Sequence, residues 1–316
     1  MAHLKTVADL GESSSVFLAK TMSRNRRGLV ASEFLIFYTH GCHSSTATLT
    51  VPPPLPPGAS VTATQYGRNL ITEAARIRRE TDDVMSALWI LSPIGGIVAF
   101  IAILVSSLLL GSRLPSGTGT GPSTGLLAGG IIGFVAALVI AIILFVLPWY
   151  KLIKRRNGHF RRDRILREGL INYVRGLAAE RGLEAKMSTE LATMTAIHSE
   201  SNSDEDDKSP VLWIFLSIIF FPLSIYVLYF LTKDPHNHDA RQLAFMQQAQ
   251  SAFSKLEKTV VFPFWKSLPS RSFFLYFVLT LVTYLFSLYW NYVLITDFND
   301  HFKAQWQVED QVLANL

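Results

Sequence analysis

Cysteine is almost missing from this chain. Only Cys42 occurs among 316 residues, which excludes an intramolecular disulfide and a Cys-rich metal site. Charge is scarce as well: 17% of residues are Asp, Glu, Lys or Arg against 49% hydrophobic, and the charges avoid four long blocks. None falls from Val84 to Ser112, Leu114 to Tyr150, Ser209 to Thr232 or Ser272 to Thr296. The interiors of these blocks also lack histidine, which counts against an ion-coupled transporter, because such carriers keep an ionisable group in the membrane. The opening "MAHLKTVADLGESSS" has no basic stretch followed by a short apolar core, so no cleaved signal peptide is expected. Gly-rich phosphate loops, HExxH and serine-nucleophile motifs are absent too, and the chain is read as non-enzymatic, with no cofactor.

What remains is membrane composition. Each block reaches the roughly 20 residues needed to cross about 30 Å of hydrocarbon. Trp89, Trp149, Tyr150, Trp213, Tyr229, Trp290 and Tyr292 stand near block ends, where amphipathic rings favour the interface. The expected fold is all-α: a multi-pass integral membrane protein with four apolar segments and amphipathic surface helices, located in the cell membrane. The net charge of +5 gathers beside the apolar blocks, notably at Arg155, Arg156, Arg161, Arg162 and Arg164. That pattern indicates orientation and contact with anionic lipid, not nucleic acid.

Four regions follow. Residues 1–65 form an N-terminal segment, extended or disordered in part, with a strand-like "FLIFYTHGCHSSTATLTV", a polyproline-like linker and an alternative start at Met22. Its His40, Cys42 and His43 crowd three donors into four residues, too close to complete a metal site. Residues 66–150 hold a juxtamembrane helix and a first transmembrane hairpin. Gly125, Gly129 and Gly133, at four-residue spacing, let its two helices approach closely. Residues 151–209 hold a basic amphipathic helix, with Ile165, Leu166, Leu170, Tyr173, Val174 and Leu177 on one face, and then a solvated acidic linker, "SESNSDEDDKS". Residues 210–316 hold two apolar blocks, each followed by an amphipathic helix. Their stripes are Leu243, Met246, Phe253 and Leu256, and Phe302, Trp306, Leu313 and Leu316.

The ends of three apolar blocks resemble one another. "YKLIKRRNGHF", "YFLTKDPHNHD" and "YVLITDFNDHF" each place a histidine nine residues after a tyrosine: Tyr150 and His159, Tyr229 and His238, Tyr292 and His301. The third and fourth blocks also align, "LSIIFFPLSIYVLYFL" over "LTLVTYLFSLYWNYVL", and an internal repeat is the best reading. Through "SIYVLYFLTKD" and "SLYWNYVLITDFNDHF", the last third of the chain resembles a family of uncharacterised prokaryotic membrane proteins. That family carries segments of the type Thr-x-Gly-Ile-Tyr-x-x-Tyr-Trp, with serine (Ser224, Ser287) here in place of its glycine. The resemblance implies an architecture and no activity.

Two readings of the junctions compete. In one, His159, His238 and His301, with His236, Asn157 and Asn299 nearby, form a metal or headgroup site. In the other, preferred, Asn157, Asn299 and Asp234 are helix N-caps, Asp234 preceding Pro235 at the first helical position. A cap explains why Asp-Pro can replace Asn-x.

Orientation brings a conflict. The Lys/Arg-rich loop 151–209 and the N-terminus should be cytoplasmic, but if all four blocks span, the basic loop after the third block falls outside. The alternative makes blocks three and four re-entrant hairpins, with the break in block three at Pro222. Four spans are placed first and hairpins second. The expected function is a non-enzymatic membrane scaffold or interaction protein, a homo-oligomer or bound to a partner membrane protein. An oligomeric channel or permease lined by Ser217, Ser224, Thr280, Thr283, Ser287 and Asn291 comes second, and a metal-dependent membrane enzyme at the histidines third.

Overall fold

The computed structural model describes residues 62–113, 124–220 and 222–316, and the side chains of 110–113 and 124–129 lie outside that description. The Pro-rich N-terminal piece with His40, Cys42 and His43, the alternative start and the loop 114–123 also lie outside the described residues. Among the described residues all regular structure is helical: α1 (Ala63–Thr81), α2 (Ser92–Arg113), α3 (Thr124–Glu180), α4 (Glu184–Asp204), α5 (Pro210–Ile219), α6 (Pro222–Lys255), α7 (Phe273–Val282) and α8 (Phe286–Leu313). A short 3-10 turn, Ala87–Leu91, leads into α2.

Two helices are long and apolar enough to cross a membrane: α2 with its lead-in turn, and α3. They pair antiparallel through small residues. A Cβ at Gly133 would fall on the Ser107 side chain, and one at Gly96 would stand 3.1 Å from the Ala141 carbonyl. The packing of Gly125 and Gly129 lies outside the described residues.

The second half of α3 leaves the apolar zone at Tyr150 and continues without a break. Against it α1 packs at backbone distance, a contact made by glycines the sequence reading passed over. A Cβ at Gly67 would lie 2.3 Å from the backbone nitrogen of Tyr173, and one at Gly176 2.3 Å from that of Thr64. Backbone cannot yield as a flexible side chain can. Gly67→Val should therefore push α1 off α3 and cost ~3 kcal/mol in denaturant unfolding. A loss comparable to an exposed helix substitution would mean that the contact carries little.

Neither the third nor the fourth apolar block is one continuous helix. Helix α5 ends at Phe220, which is extended (φ −129°, ψ 91°), and α6 starts afresh at Pro222. Thr283 (φ −131°, ψ 102°) ends α7 in the same way. Each block then doubles back. The Trp213 ring meets those of Tyr226 at 5.0 Å and Phe230 at 5.8 Å, and Tyr276 meets Phe286 at 5.1 Å and Trp290 at 5.7 Å. In a straight helix, residues 13 apart would be about 20 Å from one another. Every hairpin opens with a serine hydroxyl accepting a backbone N–H two or three residues on: Ser86 from Leu88, Ser209 from Leu212 and Ser272 from Leu275.

The amphipathic stripes find each other. Leu166, Leu170, Tyr173, Val174 and Leu177 of α3 bury with Met246, Phe253 and Leu256 from α6 and its end, and with Val308 and Val312 of α8, in one core that also takes in α1 and α4. The expected acidic linker departs from its reading. It is helical to Asp204, and Glu205 is buried.

Candidate metal centre

The helices α3, α6 and α8 each carry one junction histidine inward, just beyond their apolar segments. His159, His238 and His301 are buried and converge on one point. The Nε2 atom of His159 lies 3.2 Å from Nε2 of His238 and 3.0 Å from Nε2 of His301. The opposite ring nitrogens are all taken by carboxylates: Nδ1 of His159 by Asp82 at 2.9 Å, of His238 by Glu205 at 2.9 Å and of His301 by Asp239 at 2.7 Å. An ionised carboxylate can only accept, so each Nδ1 carries a proton and each Nε2 is turned toward the centre; on His238 burial opposes the charged ring, but Glu205 and Asp163 outweigh it and raise its pKa. Burial holds His159 down at about 4, against the pull of Asp82 and Asp163, so its ring is neutral. On Asp82 burial works the other way, yet His159 and Arg162 keep its carboxyl at about 2.

The indole N–H groups of Trp306 and Trp265 donate to Asp82 (2.7 Å) and Asp239 (2.9 Å), and Arg167 donates to Glu205 (2.8 Å). The second layer is thus itself held rigid. Aromatic rings close the site: Phe160 stacks on His238 at 4.4 Å, and Phe302 lies 4.6 Å from His159.

One lone pair on His159 faces two other ring nitrogens, and a single proton can bridge only one of these gaps. A fourth donor waits beside them. Asp163 Oδ2 is buried and lies 3.0 Å from His238 Nε2 and 3.8 Å from His159 Nε2. Metal–nitrogen bonds of about 2.0–2.1 Å imply ligand–ligand edges of roughly 2.8–3.4 Å in octahedral and tetrahedral shells. The two nitrogen spacings at His159 fall in that range. Charge agrees: Asp82, Asp163, Glu205, Asp239 and Glu309 face Arg162, Arg167 and Arg241. Five carboxyl groups against three guanidinium groups leave the cluster acidic before its histidines are counted, a balance that favours a cation. Glu309 feels that surplus: burial, with Asp163 and Asp82 adding to it, pushes its carboxyl up to about 7 despite Arg162.

The remaining junction residues do something other than cap. Helices α3, α6 and α8 run through Asn157, Pro235 and Asn299 without interruption, so the N-cap reading is corrected. Seven residues beyond each tyrosine, a side chain instead pins the backbone entering a hairpin. Asn157 exchanges two hydrogen bonds with the backbone of Lys208, and Asn299 does so with Met85. His236 meets the Leu268 carbonyl at 3.0 Å, away from the centre. Asp234 pairs with Arg156 at 2.6 Å. These anchors on either side of Pro235 explain why α6 tolerates a proline that removes one ladder bond. Tyr150, Tyr229 and Tyr292 stay half-exposed where the apolar segments end.

Sequence reasoning missed Asp82, Asp163, Glu205 and Asp239. A signal existed for two of them: Asp82 and Glu205 stand three residues before Met85 and Lys208, the backbone positions that the junction asparagines bind. Second-layer carboxylates orient a ligating imidazole and raise its basicity, and their loss typically weakens metal binding 10–100-fold. Glu205→Gln and Asp239→Asn should each show such a drop in competition with a chromophoric chelator. Unchanged affinity would remove the carboxylates from the centre. No protein-family model, no curated protein and no solved structure matches the chain.

Proposed function

We propose that this chain is an integral membrane scaffold assembled around a buried divalent transition-metal centre, with three hairpins entering the bilayer from the side on which the histidines lie. The observation that carries the reading is the convergence of three imidazoles, each held at Nδ1 by a carboxylate, with Asp163 Oδ2 beside them at 3.0 Å from His238 Nε2. Three imidazoles and a carboxylate, with no thiolate, suit zinc and its neighbours, not a soft monovalent ion. Four buried donors fill a tetrahedral shell, the arrangement of a structural site, whereas a catalytic one keeps a position open. The ion would join α3, α6 and α8 where their apolar parts end, and the hydroxyls of Ser217 and Thr283 are spent on carbonyls of their own helices rather than free to line a pore.

The equal spacing of histidine and anchor residues on all three long helices supports an ancestral unit of one hairpin plus one long helix, used three times. The Lys/Arg-rich segments all lie with the histidines in this arrangement, so the bundle is cytoplasmic and the conflict with the positive-inside bias disappears.

Elemental analysis of the full chain, purified in detergent without chelator, should find about one equivalent of a zinc-class ion per protein. A metal-free chain whose thermal unfolding does not respond to added zinc, cobalt or nickel would sink the reading.

A further inference from the structure

The three hairpins are unequal, and the inequality has a mechanical consequence. With 22 residues, α2 is about 33 Å long, enough for the whole hydrocarbon layer. The first arms of the other two, α5 and α7, have 10 residues each, about 15 Å, or half of it. Their tips are apolar and bare: Ile219 is 66% exposed, Phe220 57%, Val282 74% and Leu285 75%. No charged residue lies within either hairpin, so the tips are fit for acyl chains and not for water or headgroups. Both hairpins must also return to the side they left, because the helices that follow bring His238 and His301 to the same centre as His159.

We propose that the protein is a one-leaflet wedge that prefers membrane convex toward its histidine side. This rests on the membrane reading above. The leaflet on that side would hold six helical arms, from α2, α3, α5, α6, α7 and α8, and the far leaflet only α2 and α3. Four extra rods about 10 Å across add roughly 310 Å² of inserted protein to one leaflet. A bilayer relieves such a mismatch by bending away from the crowded side. The occupant of the exposed hairpin surface is the lipid of a single leaflet, since arms of this length end at the bilayer midplane, where only acyl-chain ends are present.

The test uses the full chain with Cys42→Ser and Lys154→Cys, which puts one fluorophore on an exposed site of the histidine side. The protein is reconstituted sparsely into phosphatidylcholine–phosphatidylglycerol vesicles of mixed diameter and counted vesicle by vesicle. A membrane-impermeant quencher identifies the molecules facing outward. Outward-facing protein should be several-fold denser per unit area on the smallest vesicles than on the largest, and inward-facing protein should show the opposite trend. Density independent of diameter overturns the proposal. Single cysteines at Phe220 and Leu285 give a second reading. Fluorophores there should be quenched most strongly by lipids carrying the quencher at the acyl-chain end. Reaction of either cysteine with a reagent added on the far side would mean spanning segments, and tip-to-tip cross-linking between copies would mean a protein occupant. Either overturns the wedge. Release of the chain from membranes by alkaline carbonate would instead overturn the membrane reading itself, so the two failures are distinct.

Discussion

His159→Ala should abolish metal uptake at the proposed centre and loosen the whole helical bundle. The residue is the hub: its Nε2 faces both other imidazoles, and its Nδ1 fixes Asp82 between α1 and α2. Losing a ligand should weaken metal binding by at least the ~100-fold that second-layer losses reach. The stability cost follows from charge. Without the ion, the surplus carboxylates of the cluster face each other in a buried space, and a buried charge that loses its partner costs ~3–5 kcal/mol. His236→Ala is the internal control. That histidine sits two residues from His238 but makes only one bond to a carbonyl, so its removal should cost ~1 kcal/mol and leave metal content unchanged. Chelator treatment of the unmodified protein should reproduce the His159→Ala unfolding curve. If the two histidine variants behave alike, the centre does not hold the bundle together.

The second large effect is expected at Arg162, whose guanidinium is fully buried. It donates twice to Glu309, at 2.7 and 2.8 Å, and lies 3.0 Å from Asp82 and 3.4 Å from Asp163. Arg162→Met keeps bulk but strands three carboxyl groups, for a loss of ~3–5 kcal/mol in denaturant unfolding. Adding Glu309→Gln should return part of that loss, because it removes one of the stranded charges. A double-mutant cycle measures the coupling directly. The pH dependence has a definite sign. In the metal-free protein the folded-state carboxyl of Glu309 titrates at about 7, above its unfolded value of roughly 4.3, so the folded state holds the extra proton. Its contribution to stability is full below about 4.3 and is lost as pH rises through 7. In metal-free protein the Arg162→Met defect, which raises the Glu309 carboxyl further, should therefore be larger at pH 8 than at pH 6. A defect that shrinks as pH rises, or no recovery on adding Glu309→Gln, would show that the ion pairs are not the source.

Much of this protein was legible in its residues. The charge-free blocks and the 3.6-residue stripes of Leu166, Leu170 and Val174, or Met246 and Phe253, required helices, two of them long and apolar enough to cross a membrane. The spacing of nine from tyrosine to histidine marked the three positions that converge. These features were readable because each depends only on periodicity along one helix or on local composition.

Tertiary structure decided the rest. Whether an apolar block spans or doubles back has almost no local signature: the helices end at Phe220 and Thr283, Trp213 and Tyr276 make ring contacts across the turn, and only Pro222 hinted at one of the breaks. Asn157, Asn299 and Asp-Pro at 234–235 carry the chemistry of caps, and the sequence favoured that role. In the fold the same groups reach Lys208, Met85 and Arg156, so the helices continue. The sequence set out three histidines 79 and 63 residues apart along one chain. It could not bring the nitrogens of His238 and His301 to 3.2 and 3.0 Å from that of His159, nor turn Asp163 toward them, because those distances depend on how α3, α6 and α8 pack. Helix spacing is fixed by hundreds of weak contacts summed over the whole bundle, and no stretch of sequence contains that sum.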